Sequence, residues 1–287
     1  MHPGPIDGAR LLPTPEFAHP EAAVADPGFR RLQRALELTT GLDLGAYKER
    51  QMMRRITGFM SREGLRDLEQ LADAVSRDAA VRQRLLDFLA INVTEFFRNP
   101  ERYEELARIV LPELLQRFGR LRIWSAGCSN GAEPYSLAIL VDELDPGSAD
   151  RHQILGTDID REALAEARKA VYTEDRLKEV SPVRRQRYFR PLPDGWWELV
   201  PEVRRYVRFT VHNLLRDPYP PGQHLILCRN VIIYFTETAK QEIFAKLAAS
   251  LVPGGYLLVG STETIFQPAR YGLRAAAPFL YVRMEAG

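Results

Sequence analysis

The sequence has few cysteines, almost no excess of one charge and no long apolar segment. Two cysteines among 287 residues cannot form a disulfide framework, and this indicates a protein of the reducing cytoplasm. The 39 Lys and Arg residues nearly balance the 38 Asp and Glu residues, which argues against a protein that coats nucleic acid non-specifically. No apolar run reaches the ~20 residues of a membrane span, and the N-terminus does not resemble a signal peptide. We therefore expect a globular cytoplasmic protein that is not inserted into a membrane.

Composition and periodicity divide the chain into four parts. Residues 1–27 contain six of the 20 prolines, which predicts a flexible extension. Residues 28–91 repeat apolar positions every three to four residues, which predicts a small all-α domain with breaks at Gly41 and Gly64. Residues 92–100 form a linker between this domain and the rest of the chain. In residues 101–287, strand patterns alternate with helical patterns, which predicts a mostly parallel sheet covered on both faces.

One stretch, at about residues 171–208, interrupts this alternation. Turn signals separate three short β-prone runs, which are Tyr188-Phe189, Trp196–Val200 and Tyr206–Phe209. This pattern predicts a small antiparallel insertion of about three strands. Near the end of the chain, two further strands (256–260 and 279–284) have no helical pattern between them, and a hairpin-like end is expected.

A glycine turn follows the first strand of the large domain. Gly127 and Gly131 stand between a predicted strand at 121–125 and a helix that begins at Glu133. The spacing differs from the dinucleotide-binding pattern, and no Lys-Ser or Lys-Thr pair of a phosphate loop follows it. Taken alone, a ligand-binding loop and a plain strand-to-helix turn explain this segment equally well.

The second strand ends in two acidic residues with different expected roles. Asp158 comes directly at the carboxyl end of the strand, where an acid can accept hydrogen bonds from ribose hydroxyls. Asp160 precedes a helix at Arg161 and fits an N-cap. A glycine loop combined with a downstream acid suggests S-adenosylmethionine, a cofactor without phosphate groups.

Four motifs, in this order along the chain, resemble the chemotaxis receptor glutamate methyltransferases, the CheR family. They are INVTEFFRNP (91–100), WSAGCSNGAEPYSL (124–137), GTDID (156–160) and LCRNVIIYF (227–235). The resemblance covers about residues 29–284. It implies an α/β fold, with a Rossmann-like class I methyltransferase sheet, a small N-terminal all-α domain and an antiparallel β insertion. It also implies methylation of receptor glutamates, giving glutamyl methyl esters and S-adenosylhomocysteine for sensory adaptation.

The resemblance also implies a set of site residues and a contribution of the linker at residues 92–100 to the active site. Arg98 and Tyr234 are implied at the reacting end, Glu133 at the ammonium of the methionine end, and Asp158 at the ribose. No metal is expected. The full set of implied cofactor contacts is Asn92, Thr94, Arg98, Gly127, Glu133, Asp158, Asn213, Leu214, Asn230 and Val231.

The implied reaction needs no general base. A glutamate side chain has a pKa of about 4.3, so its carboxylate is already ionised at neutral pH. None of the five histidines lies in the four motifs, and His212, the nearest, fits a structural role. Catalysis then depends on orientation. Arg98 fits the acceptor carboxylate in geometry, but a grip on both oxygens would weaken the nucleophile. Arg98 is therefore expected to position the carboxylate more than polarise it, or to contact the cofactor instead.

The predicted partner is the cytoplasmic domain of a methyl-accepting receptor. Six basic and two acidic residues lie between Lys48 and Arg66, and Arg50, Arg54 and Arg55 share one side of a helix. Such a face suits acidic receptor helices, although a solvated helix face has the same pattern. In some family members the β insertion binds a C-terminal receptor peptide, and the sequence leaves this open here.

Two alternatives remain at this point. Residues 217–220 (DPYP) superficially resemble the signature of methyltransferases that act on nucleic-acid amines, but they precede the fourth strand instead of following it, which favours a turn. The second alternative is a non-catalytic scaffold that retains the fold. Binding of S-adenosylhomocysteine separates this scaffold from an enzyme.

Overall fold

A computed structural model describes residues 26–89 and 94–285. The chain divides into two compact units at the junction of residues 89 and 90. Most of the expected N-terminal extension and Asn92 lie outside the described residues. Within the described part of the chain, no helix is both long enough and apolar enough to cross a bilayer.

The first unit is helical, as its periodicity predicts. Gly41 and Gly64 end two of its helices in the left-handed conformation, with φ angles of 76° and 69°. Most apolar positions of the pattern are buried, and Leu36, Ile56 and Leu71 are fully buried. The helices are α1 (Pro27–Thr40), α2 (Glu49–Glu63), α3 (Leu68–Arg77) and α4 (Ala79–Leu89).

The second unit contains a seven-stranded sheet and a separate three-stranded sheet. The large sheet has the order β6-β2-β1-β7-β8-β10-β9, in which β10 alone runs in the opposite direction to the other six strands. This is the class I methyltransferase topology that the motifs imply. The strands are β1 (Arg122–Ala126), β2 (Gln153–Asp158), β3 (Val171–Thr173), β4 (Phe189–Pro191), β5 (Trp196–Leu199), β6 (Val207–Val211), β7 (Gln223–Cys228), β8 (Leu251–Val259), β9 (Leu273–Ala277) and β10 (Leu280–Arg283).

Helices cover the large sheet on both faces. The most buried is α7 (Ala132–Leu144), in which residues 132–142 are all buried, so it lies in the core of the unit. A π-helical turn (Leu106–Val110) joins α5 to α6. The helices are α5 (Pro100–Glu105), α6 (Leu111–Phe118), α7 (Ala132–Leu144), α8 (Arg161–Lys169), α9 (Pro182–Tyr188), α10 (Pro201–Arg204) and α11 (Glu237–Ser250).

One strand of the predicted insertion belongs to the large sheet instead. The run Tyr206–Phe209 overlaps β6, which pairs in parallel with β2 at the sheet edge. The small antiparallel sheet has the order β3-β5-β4, and its third strand, β3, follows directly after α8. Residues along β6 alternate between half-buried and exposed. This alternation suits an edge strand of either sheet, so it cannot distinguish the two assignments.

A buried carboxylate attaches the insertion to the core. Asp142 in α7 accepts hydrogen bonds from the hydroxyls of Tyr188 and Tyr206, both at 3.1 Å. Tyr188 closes α9 within the insertion, whereas Tyr206 directly precedes β6. The insertion is therefore fixed to the large sheet through one side chain with two partners.

The end of the chain has one strand more than predicted. β10 pairs antiparallel with β8, as the hairpin-like end requires, and β9 adds to the outer side of β10. The β9 sequence, Leu-Arg-Ala-Ala-Ala, lacks the β-branched and aromatic residues typical of strands. Its position is therefore set by pairing with β10 and not by local preference.

We expect acid to destabilise the second unit through His224. The ring of His224 stacks on Phe118 at 4.3 Å, and Nδ1 accepts a hydrogen bond of 3.1 Å from the backbone N–H of Arg122. Burial, together with the charge of Arg122, lowers the pKa of His224. The unfolded chain therefore binds the proton more readily, and stability is lost as the pH falls below about 6.5.

The replacement His224→Asn retains an acceptor but cannot titrate. We expect it to flatten the dependence of unfolding free energy on pH between 7 and 5, by up to about 1.4 kcal/mol per pH unit. Urea denaturation followed by tryptophan fluorescence measures this, because Trp124, Trp196 and Trp197 all lie in the second unit. Identical pH slopes in the variant and the parent protein would contradict this account of His224.

Candidate active site

Five parallel strands present their carboxyl ends at one edge, and the strand order reverses between β1 and β7. Open α/β sheets bind ligands at such a switch point. Gly127 follows β1 with a φ of 80°, and its N–H donates to the carbonyl of Thr157 at 2.8 Å. A Cβ at Gly127 would clash with the side chain of Val231. Only glycine allows the loops after β1 and β7 to approach so closely.

Glu133 lies in the first turn of α7 and is buried below this loop. Its Oε1 accepts a hydrogen bond of 2.8 Å from Ser125 Oγ, and its Oε2 lies 3.4 Å from Nη1 of Arg229. Burial raises the pKa of Glu133, whereas the Arg229 guanidinium and the Ser125 hydroxyl act in the opposite direction. An ionised carboxylate has about four acceptor positions. Glu133 therefore retains capacity for a further donor such as an ammonium group.

Asp158 ends β2 and connects two neighbouring loops. Its Oδ2 accepts from the N–H of Ser129 at 2.8 Å, and its Oδ1 accepts from the N–H of Asp160 at 3.0 Å. Burial raises the pKa of Asp158, and these backbone donors oppose the rise. Asp160 caps α8 by accepting from the N–H groups of Glu162 and Ala163, which confirms the predicted N-cap. The predicted contact of Asp158 with the ribose stays a prediction.

The loop after β6 lies beside Asp158. The carbonyl of Asp158 accepts a hydrogen bond of 2.9 Å from the N–H of His212, which directly precedes Asn213 and Leu214. Leu214 is buried, and its carbonyl accepts a 2.8 Å hydrogen bond from the hydroxyl of Tyr219. The DPYP tetrapeptide therefore supports this loop from within, before β7 begins.

Arg98 lies in a tight turn between two residues with positive φ. Phe97 has a φ of 55° and Asn99 a φ of 62°. The N–H of Phe97 donates to Ser136 Oγ at 3.0 Å, and the Phe97 ring packs on Tyr103 with 5.3 Å between centroids. The turn is thus anchored to the core through Phe97, the residue before Arg98. Earlier in the segment, Arg176 donates to the carbonyl of Thr94 at 2.7 Å.

Arg229 is a site residue for which the sequence analysis proposed no role. Its side chain is almost entirely buried, and Nη2 donates to the carbonyl of Arg98 at 2.9 Å and to Asn99 Oδ1 at 2.7 Å. Together with the contact to Glu133, these bonds connect the Arg98 turn to α7. A signal was available, because an arginine directly after the buried strand β7 needs a partner for its charge.

Glu263 is a second residue that the sequence analysis missed. Its buried carboxylate accepts four backbone hydrogen bonds and so fixes the chain between β7 and the turn that carries Tyr234. The N–H donors are those of Asn230 (2.8 Å), Gly260 (2.8 Å), Ile232 (2.7 Å) and Ile233 (3.1 Å). Val231 and Tyr234 are therefore held through their backbone neighbours. The sequence signal, an acid three residues after Gly260, is weak because it has no pattern of its own.

The other side chains considered for catalysis, those of His212, Cys128 and Cys228, have surroundings typical of structural residues. His212 lies edge-on to Trp124 at 5.5 Å, and burial lowers the pKa of His212. Cys128 and Cys228 are buried free thiols, and burial raises the pKa of both. Within residues 26–89 and 94–285, no group of three or more His, Cys, Asp or Glu side chains is arranged to hold a metal ion.

The three arginines predicted for docking have different environments in the first unit. Arg50 and Arg54 are exposed on α2. Arg55 is half-buried, donates to the carbonyl of Phe88 and lies over the Phe88 ring at 5.7 Å. Arg55 therefore stabilises the end of α4, and the docking hypothesis depends on Arg50 and Arg54.

Comparison with known proteins identifies the family of this chain. Residues 92–276 match the family model of the CheR methyltransferase SAM-binding domain, and residues 27–90 match that of the CheR methyltransferase all-alpha domain. The chain belongs to the CheR methyltransferase family. It is thus an S-adenosylmethionine-dependent methyltransferase of the chemotaxis type.

Relatives are similar over most of their length. A chemotaxis protein methyltransferase of Listeria monocytogenes is 38% identical over 252 residues, which cover 87% of this chain and 95% of the relative. Chemotaxis protein methyltransferase 1 of Pseudomonas aeruginosa is 33% identical over 273 residues, covering 92% of this chain and all of the relative. Among solved structures, the N-methyltransferase NodS of Bradyrhizobium japonicum is 18% identical, with a TM-score of 0.32 over 56% of this chain and 60% of NodS.

We expect Glu263→Gln to loosen the loop that follows β7. The amide nitrogen of Gln would face two backbone N–H donors, so the unfolding free energy should fall by about 1–3 kcal/mol. Because the same loop carries Asn230 and Val231, affinity for S-adenosylhomocysteine should fall as well. Urea denaturation and calorimetry measure the two effects, with Glu166→Gln on the exposed side of α8 as the control. Wild-type values for both quantities would show that the four hydrogen bonds do not hold the site.

Proposed function

We propose that this methyltransferase esterifies glutamate side chains on the cytoplasmic domain of chemotaxis receptors. The observation that carries the proposal is the kind of side chain at the carboxyl edge of the sheet. Carboxylates of Glu133 and Asp158 suit the cofactor, whereas Arg98 suits an anionic acceptor. The nearest histidine, His212, packs against an aromatic ring instead of serving as a base. An edge of this kind fits a nucleophile that needs no deprotonation.

The chemistry explains why orientation is sufficient. When bound, S-adenosylmethionine supplies a methyl group on a positively charged sulfur. A glutamate with a pKa near 4.3 is already a carboxylate at neutral pH, so no proton leaves it during the reaction. The protein must then bring the carboxylate oxygen into line with the methyl carbon and exclude water.

Each proposed residue has one task. Glu133 accepts from the ammonium of the cofactor's methionine end, and Asp158 accepts from its ribose. Arg98 directs the acceptor carboxylate, and Tyr234 borders the reacting end. Gly127 and Val231 shape the cleft, and the chain segments of Thr94, Asn213, Leu214 and Asn230 complete its walls. Asn92 lies outside the described residues, and its role as a cofactor contact stays a prediction.

Receptor docking is assigned to the exposed basic face of α2. Arg50 and Arg54 lie on this face. Positive charge there attracts the acidic helices that carry methylation sites and raises the rate of encounter. A C-terminal receptor peptide fits the three-stranded sheet, in which β3 and β4 are both edge strands available for strand addition.

The decisive test of the substrate is the chemical stability of the product. We expect incubation with methyl-labelled S-adenosylmethionine and receptor-enriched membranes to place label on the receptor, and mild base to release it as methanol. Receptor in which the acceptor glutamates are changed to alanine is the control and should remain unlabelled. Base-stable label would indicate N-methylation and overturn the proposal. Absence of S-adenosylhomocysteine binding would favour the non-catalytic scaffold.

The docking face gives a separate prediction. We expect the double variant Arg50→Glu and Arg54→Glu to raise the KM for receptor by about tenfold or more, because like charges now oppose the acidic helices. The affinity for S-adenosylhomocysteine should be unchanged. A double variant with Lys at both positions keeps the charge and serves as the control. Normal receptor kinetics in the Glu variant would exclude this face as the docking site.

A further inference from the structure

We propose that Arg229 is a positioning residue that couples the cofactor-binding carboxylate Glu133 to the turn carrying Arg98. One buried guanidinium contacts both: Nη1 faces Glu133 Oε2 at 3.4 Å, and Nη2 donates to the Arg98 carbonyl at 2.9 Å. This inference rests on the proposed function, because it concerns the same cofactor and acceptor.

The first part of the coupling is electrostatic. Glu133 is buried, so burial favours its neutral form, and the Arg229 charge favours the ionised form. Only the ionised carboxylate attracts the ammonium group of a cofactor. Arg229 also lies over the ring of Tyr103 at 5.6 Å, which stabilises the cation away from water. Arg229 therefore favours the ionised form of Glu133.

The second part is mechanical. Phe97 and Asn99 both have positive φ, a conformation that non-glycine residues adopt only when their surroundings hold them. Nη2 of Arg229 binds the Arg98 carbonyl and, at 2.7 Å, Asn99 Oδ1. These bonds hold the last two residues of the turn from inside. Asn99 suits the position because asparagine tolerates positive φ and supplies an acceptor.

A lysine at position 229 could supply the charge but not the geometry. A guanidinium presents donors in a planar fork, whereas an ammonium presents three donors from one atom. Here the two terminal nitrogens of Arg229 contact different elements of the unit, α7 on one side and the turn before α5 on the other. Substitutions can therefore test the charge of Arg229 separately from the geometry of its hydrogen bonds.

The role of the Arg229 charge is tested by measuring the binding of S-adenosylhomocysteine, without an activity assay. We expect Arg229→Met to weaken S-adenosylhomocysteine binding at pH 7 by about tenfold or more, with affinity improving as the pH rises, because burial raises the pKa of Glu133 and the opposing charge of Arg229 is gone. Arg229→Lys should keep an affinity that varies little with pH, as in the wild-type protein. Calorimetry at several pH values measures both. The same flat pH profile in Arg229→Met as in the wild type would overturn the electrostatic part.

The geometry is tested at Asn99. Asn99→Gly keeps the positive φ and removes the Oδ1 acceptor, whereas Asn99→Asp keeps an acceptor. We expect Asn99→Gly and Arg229→Lys to lower kcat by about 10- to 100-fold with little change in KM, because Arg98 is misplaced. Hydrogen exchange in residues 94–99 should become faster in these two variants and remain near wild-type in Asn99→Asp. Asp194→Gly, an exposed turn residue with a φ of 56°, is the control.

Failure of the positioning role of Arg229 can be distinguished from failure of the proposed function. Wild-type hydrogen exchange and kcat in both Asn99→Gly and Arg229→Lys would overturn the positioning role. A wild-type protein that binds S-adenosylhomocysteine but does not methylate receptor would contradict the proposed function, while hydrogen exchange and the pH profile of binding would still decide the role of Arg229. If Arg229→Met does not fold, as fluorescence-detected unfolding would reveal, Arg229→Gln, which keeps hydrogen-bond donors without the charge, replaces it in the binding test, and the Lys and Asn99 variants decide the positioning role.

Discussion

The guanidinium of Arg229 lies in the interior of the second unit and pairs with the buried carboxylate of Glu133, 3.4 Å away. A lone buried charge of either sign is strongly unfavourable, and loss of one partner from such a pair typically costs about 3–5 kcal/mol. Each residue therefore requires the other. Because Arg229 also holds the Arg98 turn and Glu133 also binds Ser125, this pair joins β1, β7, α7 and the turn before α5 into one site.

Other acidic side chains at the carboxyl edge of the large sheet also connect neighbouring parts of the chain. Acidic side chains bind backbone N–H groups of neighbouring loops: Asp158 holds the loop after β1, and Glu263 holds the loop after β7. Loops fixed in this way are ordered before a ligand arrives, which lowers the entropic cost of binding. Such a rigid edge suits a methyl transfer in which alignment, and not proton transfer, limits the rate.

Sequence periodicity predicted the helical unit, the parallel sheet and its antiparallel end, because burial enforces periods of 3.6 and 2 residues. Periodicity did not predict the placement of strands whose positions depend on pairing with other strands. β6 and β9 are edge strands, one placed in the wrong sheet and the other missed, since their positions depend on distant partners. The site motifs indicated Glu133 and Asp158. Arg229 and Glu263 were missed because their roles arise from residues far apart in the chain, such as Arg98 and Asn230.

The central claim is that the cofactor lies across the carboxyl edge, with its ammonium on Glu133 and its ribose on Asp158. A crystal structure of the protein with S-adenosylhomocysteine tests this most directly. The account predicts hydrogen bonds from the ammonium to Glu133 and from the ribose hydroxyls to Asp158, with the sulfur directed toward Arg98 and Tyr234. A ligand bound elsewhere, or one whose ammonium does not contact Glu133, would contradict the account.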